Sequence, residues 1–203
     1  MTQIVYDNLI IRITYTKIYS QNREEIRSAY HHIILNEPES AEINAYGIEV
    51  IQKQHPVQTA LVGNVYCISE IKKNALLTIN DQLIICCGNS VYCLRLPDLT
   101  PLWTKIINGS ECIGIYPFEN DFILQGDNCV SRLNADGKVM WKRFAGEDFF
   151  ASVENSSEFR IRKNYIQIKN WGEKNYYFKP NGRRIKPYSF HHLAVMADQL
   201  FSK

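Results

Sequence analysis

The chain has 203 residues, 45% of them hydrophobic and 22% charged, with a formal net charge of +2. That length supports one sizeable core, and a charge so close to neutral excludes the strong single-sign field that by itself announces a nucleic-acid or membrane partner. No run of eighteen apolar residues predicts a membrane-spanning helix, and the opening MTQIVYDNLIIRITYTK lacks the basic start, apolar block and small-residue cleavage site of a secretory signal.

In chain order, IVYDNLIIRITYTKIY is rich in β-branched and aromatic residues and predicts one or two strands. NREEIRSAYHHIIL follows. Its apolar Ile26, Ala29, Tyr30, Ile33 and Ile34 recur at helical spacing, which predicts a helix over 23–35. Asn22 is placed to cap it, with Glu25 completing a capping box, and Pro38 ends it. From about residue 42 the pattern is β. Short apolar runs such as QLIICC, SVYCLRL, DFILQG and YIQIKNW alternate with turns CGNS, QGDN, ADGK and PNGR. At the end, SFHHLAVMADQLF sets Phe190, Leu193, Ala194, Ala197, Leu200 and Phe201 on one helical face, with Ser189 at its start. The expected organisation is one domain: a strand–helix segment over 1–41, β blades over 42–186 and a C-terminal helix over 187–203.

Three stretches of the β region share a plan: NDQLIICCGNSVYCLRLPDLTPLW, NDFILQGDNCVSRLNADGKVMW and KNYIQIKNWGEKNYYFKPNGRRI. Each has a polar pair, a strand, a turn, a second strand, an Asp or Asn turn and a third strand. Trp103 and Trp141 stand thirty-eight residues apart, each five residues after the turn aspartate, Asp98 or Asp136; in the third unit Asn181 holds the turn position and Lys186 stands where the tryptophan would be. This period suits a four-stranded propeller blade. The units resemble the pyrroloquinoline-quinone-type and WD-like repeats of β-propellers, over about residues 73–186. The resemblance implies a mainly β fold, a small or partial propeller of three or four blades with an N-terminal and a C-terminal helix. Residues 42–72 would supply a degenerate fourth blade. The tryptophans would plug the space between neighbouring blades, since one blade cannot bury both its faces. The repeat is a scaffold and implies no bound quinone; no cofactor is expected.

Candidate chemistry is sparse. The six cysteines, Cys67, Cys86, Cys87, Cys93, Cys112 and Cys129, show no C-x-x-C pair. They are expected to be buried, reduced thiols in a cytoplasmic protein. His31/His32 and His191/His192 fall on the two predicted helices, but adjacent helical residues point about 100° apart and do not converge on one metal ion. There is no nucleophile elbow and no phosphate-binding loop, and Cys112 or Cys129 would need a histidine brought up from elsewhere in the fold to act as a nucleophile. The chain is therefore expected not to be an enzyme; an unrecognised hydrolase is the third choice.

Charge is distributed unevenly. Residues 111–158 hold nine acids and four Lys/Arg, whereas 160–186 hold nine Lys/Arg and one acid. The first expectation is a protein-binding module. It could be a bacterial immunity protein that inhibits a toxin by covering its active site, with Phe118, Glu119, Asp121, Asp127, Glu147, Asp148, Phe149 and Phe150 meeting the partner. The alternative is nucleic-acid or anionic-ligand binding by the basic, aromatic stretch 160–186. Plain strand alternation also accounts for that stretch: Phe159 and Ile161 would face inward, Arg160 and Arg162 outward.

Overall fold

The computed structural model describes residues 1–19, 22–36, 42–68, 70–107, 111–144, 159–169 and 175–185. Four sheets follow one another along the chain. The first holds β1 (Thr2–Tyr6), β2 (Leu9–Ile18), β3 (His32–Leu35), β4 (Ile43–Gln52) and β5 (His55–Asn64), in the order β1-β2-β4-β5-β3. The second is β6 (Leu76–Ile79), β7 (Gln82–Cys87), β8 (Ser90–Arg95) and β9 (Pro101–Ile106). The third is β10 (Cys112–Phe118), β11 (Asp121–Gly126), β12 (Cys129–Leu133) and β13 (Val139–Phe144). The fourth is β14 (Phe159–Arg162), β15 (Tyr165–Lys169), β16 (Asn175–Phe178) and β17 (Arg184–Ile185). The last three sheets are antiparallel meanders in chain order; each of the three repeat units supplies the second to fourth strands of one of them, and the first strand, β6, β10 or β14, precedes the unit.

The sheets stack face to face, as propeller blades do. Successive strand residues point to opposite faces, so a run without polar alternation must be covered on both sides. QLIICC shows this. Leu83 and Ile85 pack with Ile11, Ile13, Ile48 and Val62 of the first sheet, while Ile84 and Cys86 pack with Ile115, Leu124 and Cys129 of the third. A third layer joins Ile123, Val130 and Trp141 to Ile166, Ile168 and Phe178 of the fourth sheet.

The repeated turns are the joints of this stack. Trp103 Nε1 donates to the Ala135 carbonyl at 2.9 Å, and Trp141 Nε1 donates to that of Pro180 at 2.8 Å. Each ring lies against the glycine of the next sheet's turn. A Cβ on Gly137 would come within 2.5 Å of the Trp103 ring, and one on Gly182 within 2.6 Å of Trp141. Both glycines have positive φ, 74° and 78°, so glycine is required here for conformation and for space. The matching turn of the second sheet, closed by Arg95 N–H to Thr100 O and Leu99 N–H to Arg95 O, puts Leu99 at positive φ. No tryptophan faces it from the first sheet; the Leu99 side chain is itself fully buried, and His32 Nε2 lies 3.1 Å from the Asp98 carbonyl oxygen.

Three expectations need correction. First, the helix over 23–35 is only α1 (Arg23–Ala29), with Tyr30 already extended. His32–Leu35 pair in parallel with Ala60–Gly63 as an extra outer strand. The β-branched Ile33 and Ile34 fit the free edge of β5, and sheet pairing overrides the helical spacing. Nor does Asn22 cap the helix through its side chain; its Oδ1 accepts from the Tyr19 N–H at 2.8 Å. Ile26 and Tyr30 still cover an apolar patch of Ile18, Ile43, Ala45 and Leu61 on the first sheet's outer face. Second, that sheet is built from β1, β2 and β3 as well as from residues after 42, so the expected boundary at 41 runs through a blade. The predicted C-terminal helix, with His191 and His192, lies outside the described residues.

Third, the six cysteines are not all free. Cys67 and Cys87 form a disulfide, with Cα atoms 4.9 Å apart, because the link after β5 folds back over the end of β7. Cys86, Cys93, Cys112 and Cys129 are buried thiols. The expected cytoplasmic location, argued from six reduced cysteines, loses that support. Burial pushes the Cys93 thiol up to about 12, and hydrogen bonding with Cys86 together with burial raises Cys112 well above an ordinary thiol. Only thiolate attacks a disulfide reagent. Ellman titration should therefore find no fast-reacting thiol in the native protein, four in denaturant, and six after reduction in denaturant.

Candidate interaction surface

The outer strands of the second and third sheets, β9 and β13, are edge strands and carry four of the exposed large apolar side chains among the described residues. In each, the ladder slips by one residue just before the tryptophan. The irregularity lies between Cys93 and Leu94 opposite β9, and between Arg132 and Leu133 opposite β13. The residues left without a partner are Leu102 and Met140. A bulge re-aims its extra side chain, and here it turns one apolar residue out from each sheet, 42% and 57% exposed. Three residues after each tryptophan come Ile106 and Phe144, 45% and 58% exposed. All four stand at the thirty-eight-residue spacing of the tryptophans, so neighbouring blades present the same apolar pair. Scattered exposed apolar residues are ordinary; what distinguishes these four is their repetition at matched positions of two blades.

The cations lie among them. PLWTKI and VMWKRF contain Lys105, Lys142 and Arg143 and no acid. The Lys142 ammonium sits 4.5 Å from the Phe144 ring centroid. Arg143 Nε donates to the Gly182 carbonyl at 2.8 Å, which anchors the guanidinium on the next sheet without neutralising it. Register places Lys105 opposite Val91 and Phe144 opposite Cys129. Val91 and Cys129 both belong to the core between sheets two and three, so Lys105, Lys142 and Phe144 line the outer mouth of one inter-blade cleft.

The acidic residues singled out from sequence are arranged otherwise. Phe118 is buried, with the Arg132 guanidinium 4.9 Å from its ring centroid. Glu119 accepts from Arg132 Nη2 at 2.8 Å, and Asp121 from Arg132 Nε at 2.6 Å. Arg132 Nη1 also donates to the Pro180 carbonyl at 3.2 Å, so this group clamps sheet three to sheet four. Asp127 follows the far end of β11, where its Oδ1 accepts from the Glu111 N–H at 3.0 Å, about 20 Å along the strand from Asp121. Glu147, Asp148, Phe149 and Phe150 lie outside the described residues.

The basic stretch alternates. Phe159 pairs with Ile168 and Arg160 with Gln167, so one face enters the core and the other carries Arg160 and Arg162. Tyr165 and Tyr177 share that outer face, their rings edge-on at 6.0 Å. Arg184 instead lies over the buried Tyr176 ring at 4.7 Å. Lys174 and Trp171 are outside the described residues. Among the described residues no group of three or more His, Cys, Asp or Glu could hold a metal ion, and no helix is long and apolar enough to cross a membrane.

Sequence reasoning missed Leu102, Ile106, Met140 and Phe144. A signal was available: apolar residues one before and three after each repeat tryptophan. Their exposure was not legible, because it depends on the bulge.

The fold is thus a propeller-like stack of four small sheets, with a repeated apolar and basic outer edge on two of them. No family model matches the chain, and no curated protein matches it. Among solved structures it is similar to the crystal structure of BamB from Moraxella catarrhalis, at a TM-score of 0.47 and 11% identity over 77% of this chain and 49% of that one. The chain spans about half the length of that structure.

Proposed function

We propose that the chain is a non-enzymatic protein-binding module that uses the outer edge of its second and third sheets. One observation carries this reading: large apolar side chains, 42–58% exposed, recur at matched positions of two neighbouring blades. The stacked faces already consume the apolar surface that holds the sheets together, so these four side chains add little to the core. Covering them by a partner is the arrangement that removes them from water. Inhibition of a toxin by capping, the immunity-protein form of such binding, remains a proposal about who the partner is.

The test is capture by the tagged protein from its native cell extract, with and without nuclease treatment, read by mass spectrometry. The expected result is a stoichiometric protein partner that survives nuclease and is lost with Met140→Ser/Phe144→Ser. A second reading, nucleic-acid binding by the fourth sheet, is favoured by the placement of Arg160, Arg162, Tyr165 and Tyr177 on one face. It predicts instead steeply salt-dependent binding of generic oligonucleotides, weakened by Arg160→Gln/Arg162→Gln.

A further inference from the structure

We infer that β1 pairs with β1 of a second copy of this chain, antiparallel about a twofold axis, and so joins two first sheets edge to edge. The inference is independent of the β9 and β13 side chains. β1 ends the first sheet and is laddered to β2 alone. The two-residue turn at Asp7 and Asn8 makes Tyr6 and Leu9 a hydrogen-bonded pair. Such pairs alternate along an antiparallel ladder. Thr2, Ile4 and Tyr6 therefore bond to β2, while the N–H and C=O groups of Gln3 and Val5 point away from it. Among the described residues no hydrogen bond uses these outward groups. The Val5 side chain is 69% exposed.

An open edge strand is a template for another strand, and proteins blunt such edges with proline, bulges, charge or short length. The other edges of the four sheets carry these devices. β3, β6, β14 and β17 have two to four residues. β10 contains Pro117 and a register shift, β9 contains Pro101 and a shift, and β13 is interrupted by a shift. β1, TQIVY, has five residues, no proline, no charge and an unbroken register. Its own antiparallel copy fits it. Centred on Ile4, the pairing sets Gln3 opposite the partner's Val5, and Val5 opposite the partner's Gln3. These are the residues whose backbone groups point outward, so each pair exchanges two hydrogen bonds and no like charges face one another. A twofold contact uses the edge of both copies and closes at a dimer. Five residues a side fall short of the roughly 20–30 of a standard interface, so the dimer should form reversibly with concentration.

Sedimentation velocity of the full chain over a concentration series reads the association. The wild-type protein should pass reversibly from monomer to dimer. Val5→Pro removes an outward N–H and none from the β1–β2 ladder, so the urea midpoint should stay near wild type while the dimer weakens about tenfold or more. A second pair of variants reads the register without proline. Gln3→Glu/Val5→Glu sets carboxylates opposite one another twice and should weaken the dimer about tenfold, whereas Gln3→Glu/Val5→Lys sets carboxylate opposite ammonium twice and should restore it. In both, the substitution at Gln3 faces Arg12 on β2 and adds no like charge across β1 and β2. A monomer at every concentration up to about 1 mM overturns the inference. So does a dimer that keeps its affinity in Val5→Pro, or one that the two charge variants weaken equally. Assembly beyond the dimer overturns the closed twofold contact. A monomeric wild type whose captured partner is lost with Val5→Pro assigns the edge to a foreign strand and overturns self-pairing. The reading of β9 and β13 is tested separately, by capture with Met140→Ser/Phe144→Ser.

Discussion

Replacing Trp141 with alanine is expected to lower stability by about 3–5 kcal/mol, the range for deleting a buried aromatic side chain. The indole is 9% exposed. It fills the seam between sheets three and four, packed among Ile123, Val130, Ile166 and Phe178. Its N–H satisfies the Pro180 carbonyl at 2.8 Å, and its ring rests on Gly182. Alanine would leave a cavity at a joint whose backbone is held by a glycine turn and cannot collapse freely. Trp141→Phe separates the contributions. It keeps most of the apolar contact and loses the hydrogen bond, so the expected loss is smaller, with about 1 kcal/mol from the bond itself and a further part from the reduced volume. Urea denaturation midpoints read both. If Trp141→Ala unfolds with the wild-type midpoint, the ring is not the joint described here. Stability in a stack is close to a sum over neighbouring units and their interfaces, so hydrogen exchange should rise in sheet four before sheet one.

The second large effect is expected at Arg132. Its guanidinium holds Asp121 at 2.6 Å, Glu119 at 2.8 Å and the Pro180 carbonyl at 3.2 Å, and lies over Phe118. Arg132→Met keeps the aliphatic stem and removes the charge. Asp121, with a side chain 18% exposed, is then left without its cation in a poorly solvated place. Such losses cost about 3–5 kcal/mol when fully buried, and partial solvent access here lowers the expectation to about 2–3 kcal/mol. Glu119 is 60% exposed and contributes little, because water replaces the arginine. Two comparisons make the cause specific. Arg132→Lys should recover only part of the loss, since an ammonium lacks the fork that reaches three acceptors. Adding Asp121→Asn to Arg132→Met should regain stability, because the uncompensated charge is gone. If the double variant is no better than the single one, the cost lies in packing and not in the carboxylate.

Arg132 also explains why the acidic reading of residues 118–127 changes in three dimensions. In sequence, Glu119 and Asp121 flank a phenylalanine and belong to a stretch with nine acids against four cations. Ladder register brings Arg132 across from Trp141 and beside the β10–β11 turn, so one of those four cations meets two of the acids. Counting charge along the chain cannot see that pairing.

The sequence by itself determined the features that depend on neighbours along the chain. The thirty-eight-residue spacing marks the blades. The Asp-Gly and Asn-Gly turns mark their hairpins, and the doubly apolar runs mark strands covered on both faces. Each follows from backbone geometry and side-chain alternation within a few residues. Tertiary structure decided the features that depend on what lies opposite. His32–Leu35 became a strand because β5 offered a free edge. Cys67 met Cys87 because a link folds back over β7. Leu102 and Met140 turned outward because a bulge opposite the ladder left each without a partner. In all three cases the local preference is weak and the competing contact is distant in sequence, so its gain is absent from any short window and appears only when the sheets are assembled.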